Sequence, residues 1–163
     1  MKITIIGCGN MGKALAQRLS QTNQLFLYDH HIENAESVAQ DGYGKACKDI
    51  EDALHASKMI ILAVKPQNLK QVATLIKDSL QENQTIVSLL AGTPNIALRR
   101  CFPTAHILRM MPNLPLIYGE GVIGLSSDEK VQKEDKEHLT KIFEVLGKVY
   151  WIPEEKMDGL TAY

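Results

Sequence analysis

Cysteine is scarce and unpatterned in this 163-residue chain. Cys8, Cys47 and Cys101 form no CxxC pair and are odd in number, which excludes a disulfide framework and a thiolate zinc site. His55, His106 and His138 show no metal-ligand spacing, so no metal is expected. Reduced thiols and a cytoplasmic location are the expectation. No apolar run approaches the roughly 18 residues that cross a bilayer, which excludes a membrane-spanning helix. The opening MKITIIGCGN has a single lysine and one short apolar run before a glycine loop. No small-residue cleavage site follows, so it reads as structure rather than as a signal peptide. Neither charge sign dominates: 18 Lys and Arg stand against 19 Asp and Glu. That balance argues against a nucleic-acid footprint or a polybasic membrane surface. Internal repeats and low-complexity stretches are missing too.

What is present is an ordinary core-forming composition, 45% hydrophobic and 23% charged, at the length of one domain. Apolar runs alternate with helical patterns. Ile3–Ile6 is β-branched throughout, as in a strand buried on both faces. Met11, Ala14, Leu15 and Leu19 then recur at helical spacing. Gln24–Asp29 is a second strand ending in an acid, followed by a short helix through Ala35, Val38 and Ala39, closed by Gly42. Met59–Val64 is the strongest strand, stopped by Lys65-Pro66, where proline demands an extended exit. Leu69, Val72, Ala73, Ile76 and Leu80 mark an amphipathic helix. Ile86–Leu90 and Ala105–Met110 are further strands, the second running into MPNLP, whose prolines argue against helix. Val122–Leu125 adds another. Leu139, Ile142, Phe143 and Leu146 share a face of the last long helix, and Lys148–Ile152 returns to the sheet. The run KVQKEDKEH is the solvated side of that helix, with Glu129–Lys133 and Lys133–Glu137 pairs. The expected fold is α/β: a Rossmann-like doubly wound, mainly parallel sheet with helices on both faces.

Gly7-Cys8-Gly9-Asn10-Met11-Gly12 reads G-x-G-x-x-G between a strand and a helix. Asp29 ends the next strand near the roughly 20-residue offset expected of a ribose-binding acid. Gly7 permits the turn, Gly9 admits a pyrophosphate close to the backbone, and Gly12 lets helix and strand approach. The helix start supplies N–H groups and the positive dipole end. A dinucleotide, NAD(H) or NADP(H), is the implied cofactor. Asp29 favours NAD, whereas His30 and His31, if protonated, offset its charge; the choice stays open at this level. Cys8, at a helix start, has a place where a thiol pKa is lowered, but no histidine adjoins it, and it reads better as a small buried side chain. Lys65-Pro66, Ala91-Gly92 and Met110-Met111-Pro112-Asn113 end adjacent strands, where α/β sheets bind ligands.

These residues carry a resemblance. GCGNMGKAL, ILAVKPQ, SLLAG, RMMPNLP, GEGVIGL and EKMDGLTA, in order along nearly the whole chain, resemble Δ1-pyrroline-5-carboxylate reductase. The resemblance implies NADPH- or NADH-dependent reduction of 1-pyrroline-5-carboxylate to proline, the last step of proline biosynthesis. Carried over by position, Gly7 to Gly12 hold the pyrophosphate. Ala63, Val64, Lys65 and Pro66 border the nicotinamide ribose, with Ala91, Gly92, Met111, Pro112 and Asn113 near the ring. No catalytic residue is implied within the chain. Three departures stand out: Ile123 replaces a customary Thr, an adenosine-side Asn is missing near Asp49 or Ile50, and the sequence ends at Tyr163. Family members continue there into an all-helical domain that makes the homo-oligomer and supplies a hydroxyl beside the imine. Residues 1–153 therefore read as the dinucleotide-binding domain and 154–163 as the start of the connection. Alternatives are a non-catalytic NAD(P)-binding protein, another reductase of the superfamily, acting on hydroxy acids or a deazaflavin, and a methyltransferase using S-adenosylmethionine.

Overall fold

Alternation along each strand sends side chains to two separate apolar layers. Ile3 and Ile5 of β1 (Lys2–Ile6), Leu25 and Leu27 of β2 (Gln24–Tyr28), and Met59 and Ile61 of β4 (Met59–Leu62) face one layer. There they pack with α1 (Asn10–Leu19), α2 (Ile32–Gln40) and α6 (Lys133–Phe143). Ile6, Ile60 and Leu62 face the other layer. They meet α3 (Ile50–Ala56), α4 (Leu69–Ile76) and α5 (Asn95–Cys101). Thr4 points the same way, and its buried hydroxyl donates to the Ala53 carbonyl at 2.7 Å. The computed structural model describes residues 1–160; the Thr161-Ala162 end of the EKMDGLTA motif and Tyr163 lie outside the described residues.

With β3 (Lys45–Ala46), β5 (Thr85–Ser88), β6 (His106–Met111), β7 (Gly121–Ser127) and β8 (Gly147–Trp151), the strands form one sheet in the order β3-β2-β1-β4-β5-β6-β7-β8. Strands β1 to β6 are mutually parallel, β7 is antiparallel to β6, and β8 runs parallel to β7. This is the doubly wound, Rossmann-like architecture. The chain proceeds outward from β1 through β2 to β3, then returns to the opposite side of β1 as β4. The switch point therefore lies between β1 and β4, where such sheets open a crevice. The link from β6 to β7 contains only a 3-10 turn, Leu114–Tyr118, rather than a crossover helix, so β7 reverses.

Several elements differ from the sequence expectation. The MPNLP segment does enter a helical turn: Pro115 sits in the first turn of Leu114–Tyr118, where a missing N–H is harmless. α4 stops at Ile76, short of Leu80. The strands expected over Met59–Val64 and Ile86–Leu90 end at Leu62 and Ser88, two residues early, and the second begins one residue sooner, at Thr85. α6 starts at Lys133, so Glu129 lies in the preceding turn and cannot pair with Lys133 across a helical turn. That start is closed by a capping box between Gln132 and Asp135. No described helix is long and apolar enough to cross a membrane.

After β8 the chain crosses a 3-10 turn, Glu154–Lys156, into α7 (Met157–Leu160). This strap lies against β7. Met157 is fully buried beneath it. Arg109 of β6, only 1% exposed, reaches Asp158 at 3.1 Å and Glu154 at 3.7 Å. Glu154 also accepts the backbone N–H of Asn95. One buried guanidinium network thus joins β6, the start of α5 and the strap.

Candidate dinucleotide site

Gly7 turns the chain off β1 with φ +101, a conformation that side-chain-bearing residues rarely adopt. A Cβ there would also stand 2.4 Å from the Ala63 carbonyl oxygen at the end of β4. Gly12 serves close approach instead: its Cβ would lie 1.9 Å from the Gly7 carbonyl oxygen. Gly9 is different, because a Cβ built on it meets nothing within 4 Å among the described residues. The space before Gly9 is open, and the chain there is backbone alone. Gly9 is the N-cap of the ten-residue α1, with no side-chain cap bond and no acidic residue in the first turn. The helix start therefore offers N–H groups and a positive dipole end to an anion. The residues present fit a pyrophosphate.

Asp29 follows β2 directly and links the two strand ends. Its Oδ2 accepts the Cys8 N–H at 2.8 Å, and its Oδ1 accepts the His31 N–H at 2.9 Å and an Asn34 amide N–H at 3.2 Å. Gly7, Gly9, Asp29, His30, Ala63, Val64 and Lys65 line a single cleft of about 560 Å³. It opens at the switch point, as the topology demands. Ile6, Tyr28, His31, Asn34, Asn68, Gln71, Val72 and Leu75 complete the wall. Sequence reasoning missed the α4 contribution. One signal was available: Leu75 lies off the apolar stripe of α4 and is exposed.

The remaining sequence-derived positions lie outside the cleft wall. Cys8 and Gly12 are buried, Met11 is partly buried against the core, and Asn10 is exposed at the first turn of α1. Pro66 opens a 3-10 turn after the extended Lys65. Ala91 and Gly92 follow β5, and Met111, Pro112 and Asn113 end β6, at neighbouring positions on the same edge of the sheet. Asn113 is fixed there, its Oδ1 accepting the Val122 N–H at 2.9 Å. Ile123 points into the core, and Asp49 caps α3 through the Glu51 N–H.

Cys8 corrects one alternative left open by the sequence. Burial, reinforced by the nearby Asp29 carboxylate, pushes its thiol up from 9.0 to about 12. The helix start does not activate it; the small buried side chain is what the structure contains. Because folding holds the proton, this thiol contributes stability below pH 9 and loses it as pH rises toward 12. Alkylation by iodoacetamide at pH 8, followed by peptide mass spectrometry, is expected to modify the partly exposed Cys101 well before Cys8.

Sheet order, glycine loop and switch-point cleft define a Rossmann-like domain of the nucleotide-binding type. Residues 2–92 match the family model described as NADP oxidoreductase, coenzyme F420-dependent. The chain belongs to that family. Among curated relatives, the pyrroline-5-carboxylate reductase of Pasteurella multocida is 30% identical over 98% of this chain. The chain spans 62% of that relative's length. A crystal structure of Plasmodium falciparum pyrroline carboxylate reductase with NADP bound is 27% identical, with a TM-score of 0.87. The match covers 99% of this chain and 61% of that one. The 1-pyrroline-5-carboxylate reductase of Streptococcus pyogenes gives the same identity and TM-score, over 99% of this chain and 62% of its own.

Proposed function

We propose that this chain is the cofactor-binding portion of an NAD(P)H-dependent pyrroline-5-carboxylate reductase, reducing 1-pyrroline-5-carboxylate to L-proline in proline biosynthesis. The observation that carries this reading is the match to relatives of that name along 98–99% of the chain. The open, side-chain-free space at Gly9 supports it independently. On this reading residues 1–153 are the dinucleotide-binding domain and 154–163 begin a connection to a helical region that forms the homo-oligomer. The location is cytoplasmic.

The first turn of α1 and the Gly7–Gly12 loop hold the pyrophosphate. Asp29 and His30 stand at the adenosine end, and Ala63 to Pro66 border the nicotinamide ribose. Ala91, Gly92, Met111, Pro112 and Asn113 flank the ring. When bound, the reduced nicotinamide supplies a hydride to the imine carbon. A protonated imine is already electrophilic, so the protein's part is to orient the reactants rather than to deliver a strong acid. No catalytic residue is assigned within these 163 residues.

Fluorescence titration is expected to give saturable binding of a reduced dinucleotide. In steady-state assays the 163-residue chain is expected to reduce 1-pyrroline-5-carboxylate far more slowly than a full-length relative. Turnover equal to such a relative's would show that the catalytic groups are already in these residues.

A further inference from the structure

We infer that the adenosine end of the cleft selects the unphosphorylated dinucleotide, NADH over NADPH. The inference rests on the dinucleotide reading above and goes beyond it.

It follows from counting acceptors on Asp29. An ionised carboxylate offers about four hydrogen-bonding directions, two on each oxygen. Three are filled by protein N–H groups: His31 and Asn34 occupy Oδ1, and Cys8 occupies one side of Oδ2. The direction left over is on Oδ2, the oxygen bonded to the phosphate loop. A ribose 2′-hydroxyl carries a proton to donate there. A 2′-phosphate at neutral pH carries mainly negative charge and no matching donor.

The three N–H bonds also deny the carboxylate an escape. In a flexible site an acid can swing into solvent when a phosphate arrives. Rotation of Asp29 would break bonds to the loop after β1 and to the start of α2 together. Compensating cations are sparse. Lys65 is the cleft's Lys or Arg side chain among the described residues, and it follows β4, on the far side of β1 from Asp29. Next to Asp29 stand His30 and His31, whose exposed rings pack edge-to-face on each other at 5.1 Å. Asn34 already spends an amide N–H on Asp29 itself.

The test is a pair of titrations of the 163-residue chain with NADH and NADPH, read by calorimetry at one pH and salt concentration. NADH is expected to bind about tenfold tighter or more. Asp29→Asn is expected to bring the two affinities within about threefold of each other, by weakening NADH and strengthening NADPH. Should that variant fail to fold, 5′-AMP and adenosine 2′,5′-bisphosphate on the unaltered chain give the same comparison at the adenosine end, with 5′-AMP expected to bind tighter. NADPH binding as tightly as NADH, or tighter, overturns the inference and leaves the dinucleotide reading intact. Failure of both dinucleotides to bind overturns the dinucleotide reading and the inference with it.

Discussion

Gly12→Ala is expected to destabilise the fold by about 3 kcal/mol and to abolish measurable dinucleotide binding. The added methyl would stand 1.9 Å from the Gly7 carbonyl oxygen, and this neighbour is backbone, with no side chain to swing aside. Relief requires α1 to lift off the loop, which moves Gly9 and the helix start together. Gly9→Ala makes the informative contrast. Its methyl meets no atom of the described residues within 4 Å, and its φ of −78 is open to alanine. Stability is therefore expected to stay within about 0.5 kcal/mol while binding falls about tenfold or more, because the methyl occupies ligand space. Urea unfolding beside a binding titration separates the two. Equal stability losses for both variants would mean that the space at Gly9 is not open, and unchanged binding by Gly9→Ala would mean that it is not a binding surface.

The second large effect is expected at Glu154. Glu154→Ala removes the acceptor of the Asn95 N–H and one of the two carboxylates beside the buried Arg109 guanidinium. A destabilisation of about 2–4 kcal/mol is expected in urea unfolding. Arg109→Met is expected to be milder. Glu154 and Asp158 are 38% and 67% exposed at their side chains, so water can take over their solvation, whereas Arg109, at 1%, is shielded from bulk solvent. The guanidinium is already incompletely satisfied, its Nε having no hydrogen-bond partner among the described residues. The reverse ranking would mean that the arginine, rather than its neutralisation, holds the strap in place.

The parts of the fold legible in the sequence are those where one residue type answers one physical demand. Ile3 to Ile6, the three loop glycines and Asp29 fall in this class, because a buried strand, a tight turn and a strand-end carboxylate each leave few substitutes. The direction of β7 was not legible. Val122 to Leu125 reads as a strand in either orientation, and its reversal depends on the short link after Asn113. The seven-residue helices α3 and α5 have too few turns to display a period, and two-residue β3 has no alternation at all. At the cleft, the loop and Asp29 were readable as a local motif. The α4 wall was not, since Gln71, Val72 and Leu75 reach the cleft through packing between elements distant in sequence. Arg109 gave no sequence signal of burial; its carboxylates follow it by more than forty residues.

The start of α1 has a further consequence, visible in hydrogen exchange. Amide protection normally follows rigidity, but here the two are separated. Backbone contact between Gly12 and Gly7 leaves this stretch little freedom to move, yet the first N–H groups of the helix have no intrahelical acceptor and no side-chain cap. Those amides are expected to exchange quickly in the free protein, although the loop that carries them has little room to move. A bound anion would slow them without ordering anything, so their protection measures occupancy directly.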